Sequence, residues 1–225
     1  MSGRGLLPDA LHRALDADHR AVRPLRPAWV RALWVALWAL VALVVLPAAI
    51  GVRTDIESLG LALSWGAALL ECLAGLGLVV LALREAVPGS GVTRSAGSAA
   101  LAGGVVALLL VAGLSWLQRG MPAGSFPPRG AHCFPMESTL ALPALAVTMV
   151  LVARAYAVRP RWAGVLGGAG AGVVTDGIWH LICPYADLSH VLVWHGGAML
   201  APAVFGWLAG SVVEGLRRRR FRDSR

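Results

Sequence analysis

The sequence predicts an all-α membrane protein, a bundle of six transmembrane helices with both termini in the cytoplasm. Three observations lead to this prediction: the composition, the length of the apolar runs and the distribution of arginine. Of the 225 residues, 57% are hydrophobic and 14% are charged, which leaves too little polar surface to cover a soluble globule of this size. The chain is therefore expected to be integral to a membrane.

Six apolar runs supply the predicted helices. Each is close to the roughly 20 residues that a helix needs to cross the hydrocarbon of a bilayer. The fourth is the weakest, because Pro143 lies inside it and Arg154 lies near its end, but an arginine there can extend its guanidinium to the interface. The runs are Trp29 to Ala49, Leu59 to Leu83, Ala96 to Leu117, Thr139 to Val158, Trp162 to Leu181 and Leu188 to Val213.

The arginines set the predicted orientation. All 20 basic residues are arginine, and six spans place 17 of them on the side of the two termini. The three on the other side are Arg53, Arg119 and Arg129. Basic residues concentrate on the cytoplasmic side of membrane proteins, so the termini are predicted to be cytoplasmic. This distribution also accounts for the net charge of +8 without a nucleic-acid-binding patch, and no direct contact with nucleic acid is expected.

Three regions are predicted along the chain. They are a cytoplasmic amphipathic segment at 1–27, a six-helix transmembrane domain at 28–213 that contacts the lipid bilayer, and a basic cytoplasmic tail at 214–225. In the first region Leu7, Leu11 and Leu15 recur at four-residue spacing, which is typical of an amphipathic helix over Pro8 to Val22. From spacing alone, such a helix suits lipid headgroups and a protein partner equally well.

Two of the three cysteines lie in connections predicted to face outward. Cys133 and Cys183 occupy the third and fifth connections, on the oxidising side of this topology. Three alternatives stay open for them: a disulfide, a metal-binding pair or two free thiols. The neighbouring histidines keep the metal alternative, because imidazole and thiolate together suit zinc and other thiophilic ions, although the spacing matches no standard zinc motif. These neighbours are His132, His180 and His190.

A carboxylate is predicted in the middle of the second span. Glu71 has 12 residues of that span on either side, so it must face the bundle interior, be protonated or find a partner. It is either a neutral acid with a hydrogen bond inside the bundle or part of a proton or ion pathway. Asp176, near the outer end of the fifth span, is the second candidate for a buried polar site, with headgroup water as its alternative.

Two further patterns concern packing and catalysis. Gly164, Gly168 and Gly172 fall four residues apart on one face of the fifth span, which predicts the close approach of a neighbouring helix. The sequence has no nucleophile–base arrangement, phosphate-binding glycine loop or haem attachment motif. A quinone-linked thiol oxidase would carry close-set cysteine pairs, whereas each cysteine here is at least 50 residues from the next. A non-enzyme without a cofactor is predicted.

Five short motifs carry a resemblance that extends over nearly the whole chain. They are VRPLRP at 22–27, RTDI at 53–56, VPG at 87–89, RPRWAG at 159–164 and CPYADLSHVLVWH at 183–195. In order and spacing they resemble the six-span anti-sigma factors of the negative regulator of sigma-F (NrsF) family. Cys133 and Cys183 match the outward-facing cysteine pair of that family.

The resemblance implies a multi-pass protein of the bacterial inner membrane. Such a protein holds an extracytoplasmic-function sigma factor at the cytoplasmic face and releases it under stress, including metal or oxidant stress, with Cys133 and Cys183 as the sensor. The N-terminal segment and the adjoining inner loops are the expected binding surface, with Leu7, Leu11, Leu15, Arg23 and Arg26 as candidate contacts. The alternative function is a small transporter or metal-handling membrane protein that uses Glu71, Asp176 and the outer histidines.

Overall fold

The computed structural model describes residues 24–91, 93–119, 130–185 and 187–223, together with residues 11 and 13. Within these ranges all regular structure is helical, and no strand is present. Six helical segments follow one another in the order of the six predicted spans. They are α1 (Ala28–Ile50), α2 (Ile56–Leu61, a π-helical turn Ala62–Gly66, and Ala67–Glu85), α3 (Arg94–Arg119), α4 (Cys133–Arg154), α5 (Pro160–Trp179) and α6 (Leu188–His190, a π-helical turn Val191–His195, and Gly196–Asp223).

Two helix boundaries differ from the prediction in an informative way. Helix α4 begins at Cys133 rather than Thr139, because Glu137 is buried inside the bundle and does not mark a polar connection. Helix α6 continues to Asp223, so the described part of the predicted tail is a helical extension. The amphipathic helix predicted over 8–22 lies outside the described residues, apart from Leu11 and Arg13.

Four of the described helices are long and apolar enough to cross a membrane. They are Ala28–Ile50, Ile56–Glu85, Cys133–Arg154 and Leu188–Arg219. Helix α5 is not among them, since six of its 20 residues are glycine and it also contains Arg161 and Asp176. Four candidate spans support membrane association, and the count of six remains a prediction.

The bundle is built around α5, which packs between α2 and α6. The glycines of α5 allow both contacts: a Cβ atom on Gly168 would overlap the carbonyl of Pro202 in α6, and one on Gly170 would lie 2.7 Å from the carbonyl oxygen of Gly75 in α2. The predicted close approach along Gly164, Gly168 and Gly172 is confirmed, and its partner is α6. Helix α5 is therefore the most enclosed element of the bundle.

The outer surface of the bundle is apolar. Helix α1 exposes Trp34 and Val44, and α6 exposes Leu200 and Val212. Large apolar side chains in continuous exposed bands are unusual on soluble monomers and normal where a helix faces lipid. The surface thus agrees with the composition.

The connections divide between two ends of the bundle. The cysteine end holds Cys133 and Cys183. The opposite end, here named the arginine end, holds the start of α1, where Arg31 donates to the carbonyl of Leu83 at 2.7 Å. It also holds the end of α6, where Arg217 donates to the carbonyl of Ala157 at 2.7 Å. The first and last described helices therefore have their outer termini at the same end, which is the relative placement the predicted topology requires.

Candidate functional site

The two cysteines of the predicted pair meet at the cysteine end. Cys133 is the first residue of α4, and Cys183 follows α5 with its amide bonded to the carbonyl of Trp179 at 2.9 Å. Their Sγ atoms are 3.6 Å apart, both residues are buried, and both are free thiols. A disulfide would bring the sulfurs to about 2.05 Å. The arrangement is a reduced pair in direct contact.

Two histidines from the start of α6 complete a cluster with these thiols. His190 Nε2 is 3.3 Å from the Sγ of Cys183, and the rings of His190 and His195 meet edge to face with centroids 5.1 Å apart. One donor atom from each of the four residues lies within 4.8 Å of all the others, and all four residues are buried. We name this group the thiol–imidazole cluster: Cys133, Cys183, His190 and His195.

The backbone at the start of α6 explains how its two histidines face the same way. Asp187 caps the helix, and its carboxylate accepts a hydrogen bond from the amide of His190 at 3.0 Å. The next turn, Val191–His195, is π-helical, and residues five apart lie above one another in a π-helix. His190 and His195 therefore share a face. Gly130 packs against the His190 ring, where a Cβ would lie 2.6 Å from Cε1.

Two carboxylates orient the imidazole of His195. Its Nδ1 is 2.6 Å from Oδ1 of Asp176 and 3.3 Å from Oε2 of Glu137. Because a carboxylate accepts hydrogen bonds, Nδ1 carries the donating proton. The opposite nitrogen, Nε2, has no well-formed hydrogen bond to any residue that the structure describes, and the weakly donating thiols of Cys133 and Cys183 lie close to the ring.

The structure adds Glu137 and His195 to the buried polar site predicted from Glu71 and Asp176. Glu71 and Asp176 are both buried, and Glu71 interacts electrostatically with Asp176 and His195. Asp176 faces the bundle interior, which removes the headgroup-water alternative. Among the described residues, Glu71 Oε2 has no hydrogen-bond partner. With Glu137 added, three carboxylates and one imidazole now share this interior.

Arg53 joins the first connection to the fifth. Its amide donates to the carbonyl of Leu181 at 2.9 Å and its Nη1 to the carbonyl of His180 at 3.1 Å. Its Nε is 2.6 Å from Oδ1 of Asp55. Burial lowers the pKa of the Arg53 guanidinium, and a negative charge on Cys183 would act in the opposite direction. Arg53 therefore supplies positive charge next to the thiol–imidazole cluster.

Two of the three histidines named as possible metal ligands, His132 and His180, lie outside the cluster. His132 is exposed. His180 has its Nε2 2.8 Å from the carbonyl oxygen of Leu63, and burial lowers the pKa of its imidazole. The structure thus brings the cysteines together with His190, the third of these histidines, and with His195.

Glu137, His195 and Arg53 were not singled out as site residues from the sequence. A signal for Glu137 existed, because it is four residues after Cys133 and thus on the same face of a helix that begins there. The partners of His195 depend on how α4, α5 and α6 are rotated about their axes. Sequence spacing carries no information on that rotation.

The candidate contacts for a protein partner are only partly described. Leu11 and Arg26 are exposed, while Leu7, Leu15 and Arg23 lie outside the described residues. At the arginine end a surface groove is lined by Ala157, Val158, Pro160, Glu214, Arg217 and Arg218.

Fold and site together define a helical, membrane-associated protein with a buried thiol–imidazole cluster at one end. Residues 15–214 match the family described as "NrsF: Negative regulator of sigma F". The match covers most of the chain, which therefore belongs to the NrsF family, and the resemblance seen in the motifs is confirmed. No curated protein and no solved structure matches the chain. Membership makes the chain a negative regulator of a sigma factor, with a sigma factor as its partner.

Proposed function

We propose that the chain holds an extracytoplasmic-function sigma factor at the inner face of the bacterial cytoplasmic membrane and releases it when Cys133 and Cys183 react with an oxidant or a thiophilic metal. The observation that carries this proposal is the contact of the two buried thiols, with 3.6 Å between their Sγ atoms. Family membership supports the negative regulation of a sigma factor.

The chemistry of the pair suits an oxidation switch. In the oxidised form the two sulfurs share a covalent bond, and the two thiols give up two protons and two electrons. Hydrogen peroxide supplies the balance, since it accepts both electrons and both protons and leaves as two molecules of water. The sulfurs must move together by about 1.5 Å to reach the disulfide length, and this movement draws α4 towards the connection between α5 and α6.

A route from the cysteine end to the partner surface runs along the same helices. Arg217 near the end of α6 donates to the carbonyl of Ala153 in the last turn of α4 at 2.9 Å and to that of Ala157 in the following connection at 2.7 Å. Helices α4 and α6 are therefore connected at both ends of the bundle. A change in their spacing at the cysteine end alters how their arginine ends are presented.

The sigma factor is proposed to bind the N-terminal segment 1–27 through Leu7, Leu11, Leu15, Arg23 and Arg26, together with the adjoining inner connections. The arginine distribution, 17 against three, supports the placement of this segment in the cytoplasm. An apolar helix face is a common docking surface for a protein partner. Co-purification of the sigma factor with the full-length chain tests the assignment: Leu11→Glu should lose the sigma factor, and Arg222→Ala in the tail is the control that should retain it.

The test of the sensor uses a sigma-dependent reporter with and without peroxide or cadmium. Cys133→Ser and Cys183→Ser should each give the same loss of induction, and the double variant should be no worse, because residues that act as a unit are not additive. Cys72→Ser is the matched control: this thiol is also buried and lies 3.6 Å from the carbonyl oxygen of Val174. Normal induction in the double variant would overturn the proposal.

A second candidate function, a small transporter or metal-handling protein, draws on one observation. Glu71, Glu137, Asp176 and His195 are all buried in the same interior, and buried ionisable groups in membrane helices are common in ion pathways. The Glu71 variant described in the Discussion separates this candidate from the regulator.

A further inference from the structure

We propose that Cys133, Cys183, His190 and His195 are the four ligands of one thiophilic metal ion of the Zn²⁺ type. The inference rests on the proposed function, because it specifies the metal-binding state of the same sensor. It assigns direct ligation to two histidines at the start of α6. It also makes Asp176 the residue that positions one of them.

Two separations between donor atoms agree with tetrahedral coordination, and the others fall below a common upper limit. With Zn–S bonds of about 2.3 Å and Zn–N bonds of about 2.05 Å, tetrahedral angles place the two sulfurs about 3.8 Å apart and a sulfur and a nitrogen about 3.6 Å apart. The observed separations are 3.6 Å between the sulfurs and 3.3 Å between Cys183 Sγ and His190 Nε2. All four donors fall within 4.8 Å of one another, so a metal needs only small side-chain adjustments.

His195 is already arranged as a metal ligand. Its Nδ1 is bonded to Asp176 at 2.6 Å, and its Nε2 has no hydrogen bond within the described ranges. Metal-bound histidines usually donate their second nitrogen to a carboxylate, which fixes the tautomer and increases the basicity of the ligating nitrogen. A buried imidazole nitrogen left without a partner costs free energy. A metal at Nε2 removes that cost.

Charge also favours an ion in the cluster. Binding of M²⁺ converts the two thiols to thiolates and releases two protons, so the two negative charges and the metal charge cancel and no electrons are exchanged. Two buried thiolates without a cation would be unfavourable, and Arg53 alone supplies one positive charge. The ion therefore stabilises the thiolate form of both cysteines.

A metal ion and an oxidant compete for the same two thiols, because both can reach them from the cysteine end and both react with their sulfur atoms. Pro184 is exposed and Tyr185 is half-buried against the His190 ring, with centroids 5.1 Å apart, so the cluster lies directly beneath the surface of the cysteine end. Thiolates bound to a metal are less available to an oxidant than free ones. A bound ion should thus protect the pair from peroxide.

The first test is the coordination of the wild-type protein. The reduced full-length chain in detergent micelles is titrated with Co²⁺ without oxygen, and the Zn²⁺ form is examined by X-ray absorption. We expect one Co²⁺ per chain with thiolate charge-transfer and tetrahedral ligand-field bands, and a zinc shell of two sulfurs at about 2.3 Å and two nitrogens at about 2.05 Å. Absence of the thiolate band, or a shell without nitrogen from imidazole, would overturn the inference.

The second test assigns the ligands. His190→Gln and His195→Gln should each weaken Co²⁺ binding at least 10-fold, and Asp176→Asn should weaken it by about 10- to 100-fold while the spectrum keeps its tetrahedral shape. His132→Ala is the matched control, because this histidine adjoins Cys133 in sequence but is exposed. The Co²⁺ affinity of this variant should equal that of the wild type. Unchanged affinity in both glutamine variants would contradict the assignment, and size-exclusion chromatography verifies that the variants are folded.

The experiments distinguish an error in the metal site from an error in the proposed thiol sensor. If the protein binds no metal but the double cysteine variant no longer responds to peroxide, the metal site is wrong and the thiol sensor stands. If the double variant responds normally to peroxide and to cadmium, the sensor is wrong whatever the protein binds in vitro.

Discussion

Arg159 and Glu85 form a bidentate ion pair at the arginine end, with Nε 2.6 Å from Oε1 and Nη2 3.0 Å from Oε2. The pair joins the end of α2 to the start of α5. Its two partners differ in environment, since the Glu85 side chain is 1% exposed and that of Arg159 is 37% exposed. Removing Arg159 therefore affects a buried carboxylate, whereas removing Glu85 affects a partly exposed guanidinium.

This asymmetry gives the first prediction. Arg159→Ala removes the bidentate partner of a buried carboxylate and should destabilise the bundle by about 1–3 kcal/mol, whereas Glu85→Gln leaves an arginine that can turn to water and should cost less. Thermal unfolding in detergent measures both. Arg161→Ala is the control, because its pair with Glu214 is half exposed and such pairs contribute about 0–1 kcal/mol. Equal losses for Arg159→Ala and Glu85→Gln would show that burial does not govern this pair.

The second prediction concerns Arg53 and the cysteine end. Arg53→Gln removes the side-chain hydrogen bond to the carbonyl of His180, so the two connections should separate and the buried thiols should become more accessible to a maleimide that cannot cross the membrane. This gain in access should outweigh the slower reaction expected from the loss of positive charge near Cys183. We expect an increase of roughly 10-fold, the equivalent of about 1.4 kcal/mol in local opening. Glu57→Gln, an exposed change in the first turn of α2 close to Arg53 in sequence, should leave the rate as it is. A rate in Arg53→Gln equal to wild type would mean that Arg53 does not hold the two connections together.

The third prediction compares two glycines of α2. A Cβ at Gly75 would lie 2.6 Å from the carbonyl oxygen of Gly170, whereas a Cβ at Gly77 meets nothing within 4 Å. Gly75→Ala should therefore lower stability by about 1–3 kcal/mol, and Gly77→Ala should maintain or slightly raise it because alanine favours the helix. The melting temperatures of the two purified variants test this difference. Similar values for Gly75→Ala and Gly77→Ala would contradict the packing of α2 on α5.

The fourth prediction separates a regulator from a transporter. Glu71→Gln keeps a hydrogen-bonding group and removes the cost of a buried charge, so a structural acid should tolerate it with normal membrane levels and normal sigma regulation. Immunoblots of membranes and the sigma-dependent reporter measure the two properties. Complete loss of regulation at normal protein level would instead favour a proton or ion role for Glu71.

The fifth prediction is the topology. Reporter fusions at the N-terminus, near Gly89, near Arg159 and at the C-terminus should all report cytoplasm, because 17 of the 20 arginines lie on that side. A fusion near Gly130 is the control for the opposite side. An outward signal near Gly89 would rule out the six-span arrangement.

Local patterns in the sequence predicted much of the fold. Helix positions follow from apolar run length, and the contact of α5 with α6 follows from Gly164, Gly168 and Gly172, because spacing along one helix determines which residues share a face. The meeting of Cys133 with Cys183 was also predictable in outline, since both connections lie at one end.

The residues that make up the thiol–imidazole cluster were harder to predict from the sequence. Glu137 looks like a polar residue of a connection until its burial against His195 is known. The π-helical turn Val191–His195 changes the face on which His195 lies, and no residue type in that turn predicts a π-helix. Contacts between residues distant in sequence depend on helix rotation, which periodicity alone does not determine.

The backbone contact of α5 with α6 limits how a stimulus can travel. At Gly164 and Gly206 the two helices approach without side chains between them, so we expect the pair to tilt together as one rigid lever rather than to slide. From His190 to Arg217 the lever is about 40 Å long at 1.5 Å per residue, and a tilt of about 5° about its outer end would carry the inner end through roughly 3.5 Å. On the proposed mechanism, the change of about 1.5 Å between the two sulfurs would thereby become a displacement large enough to open a protein interface.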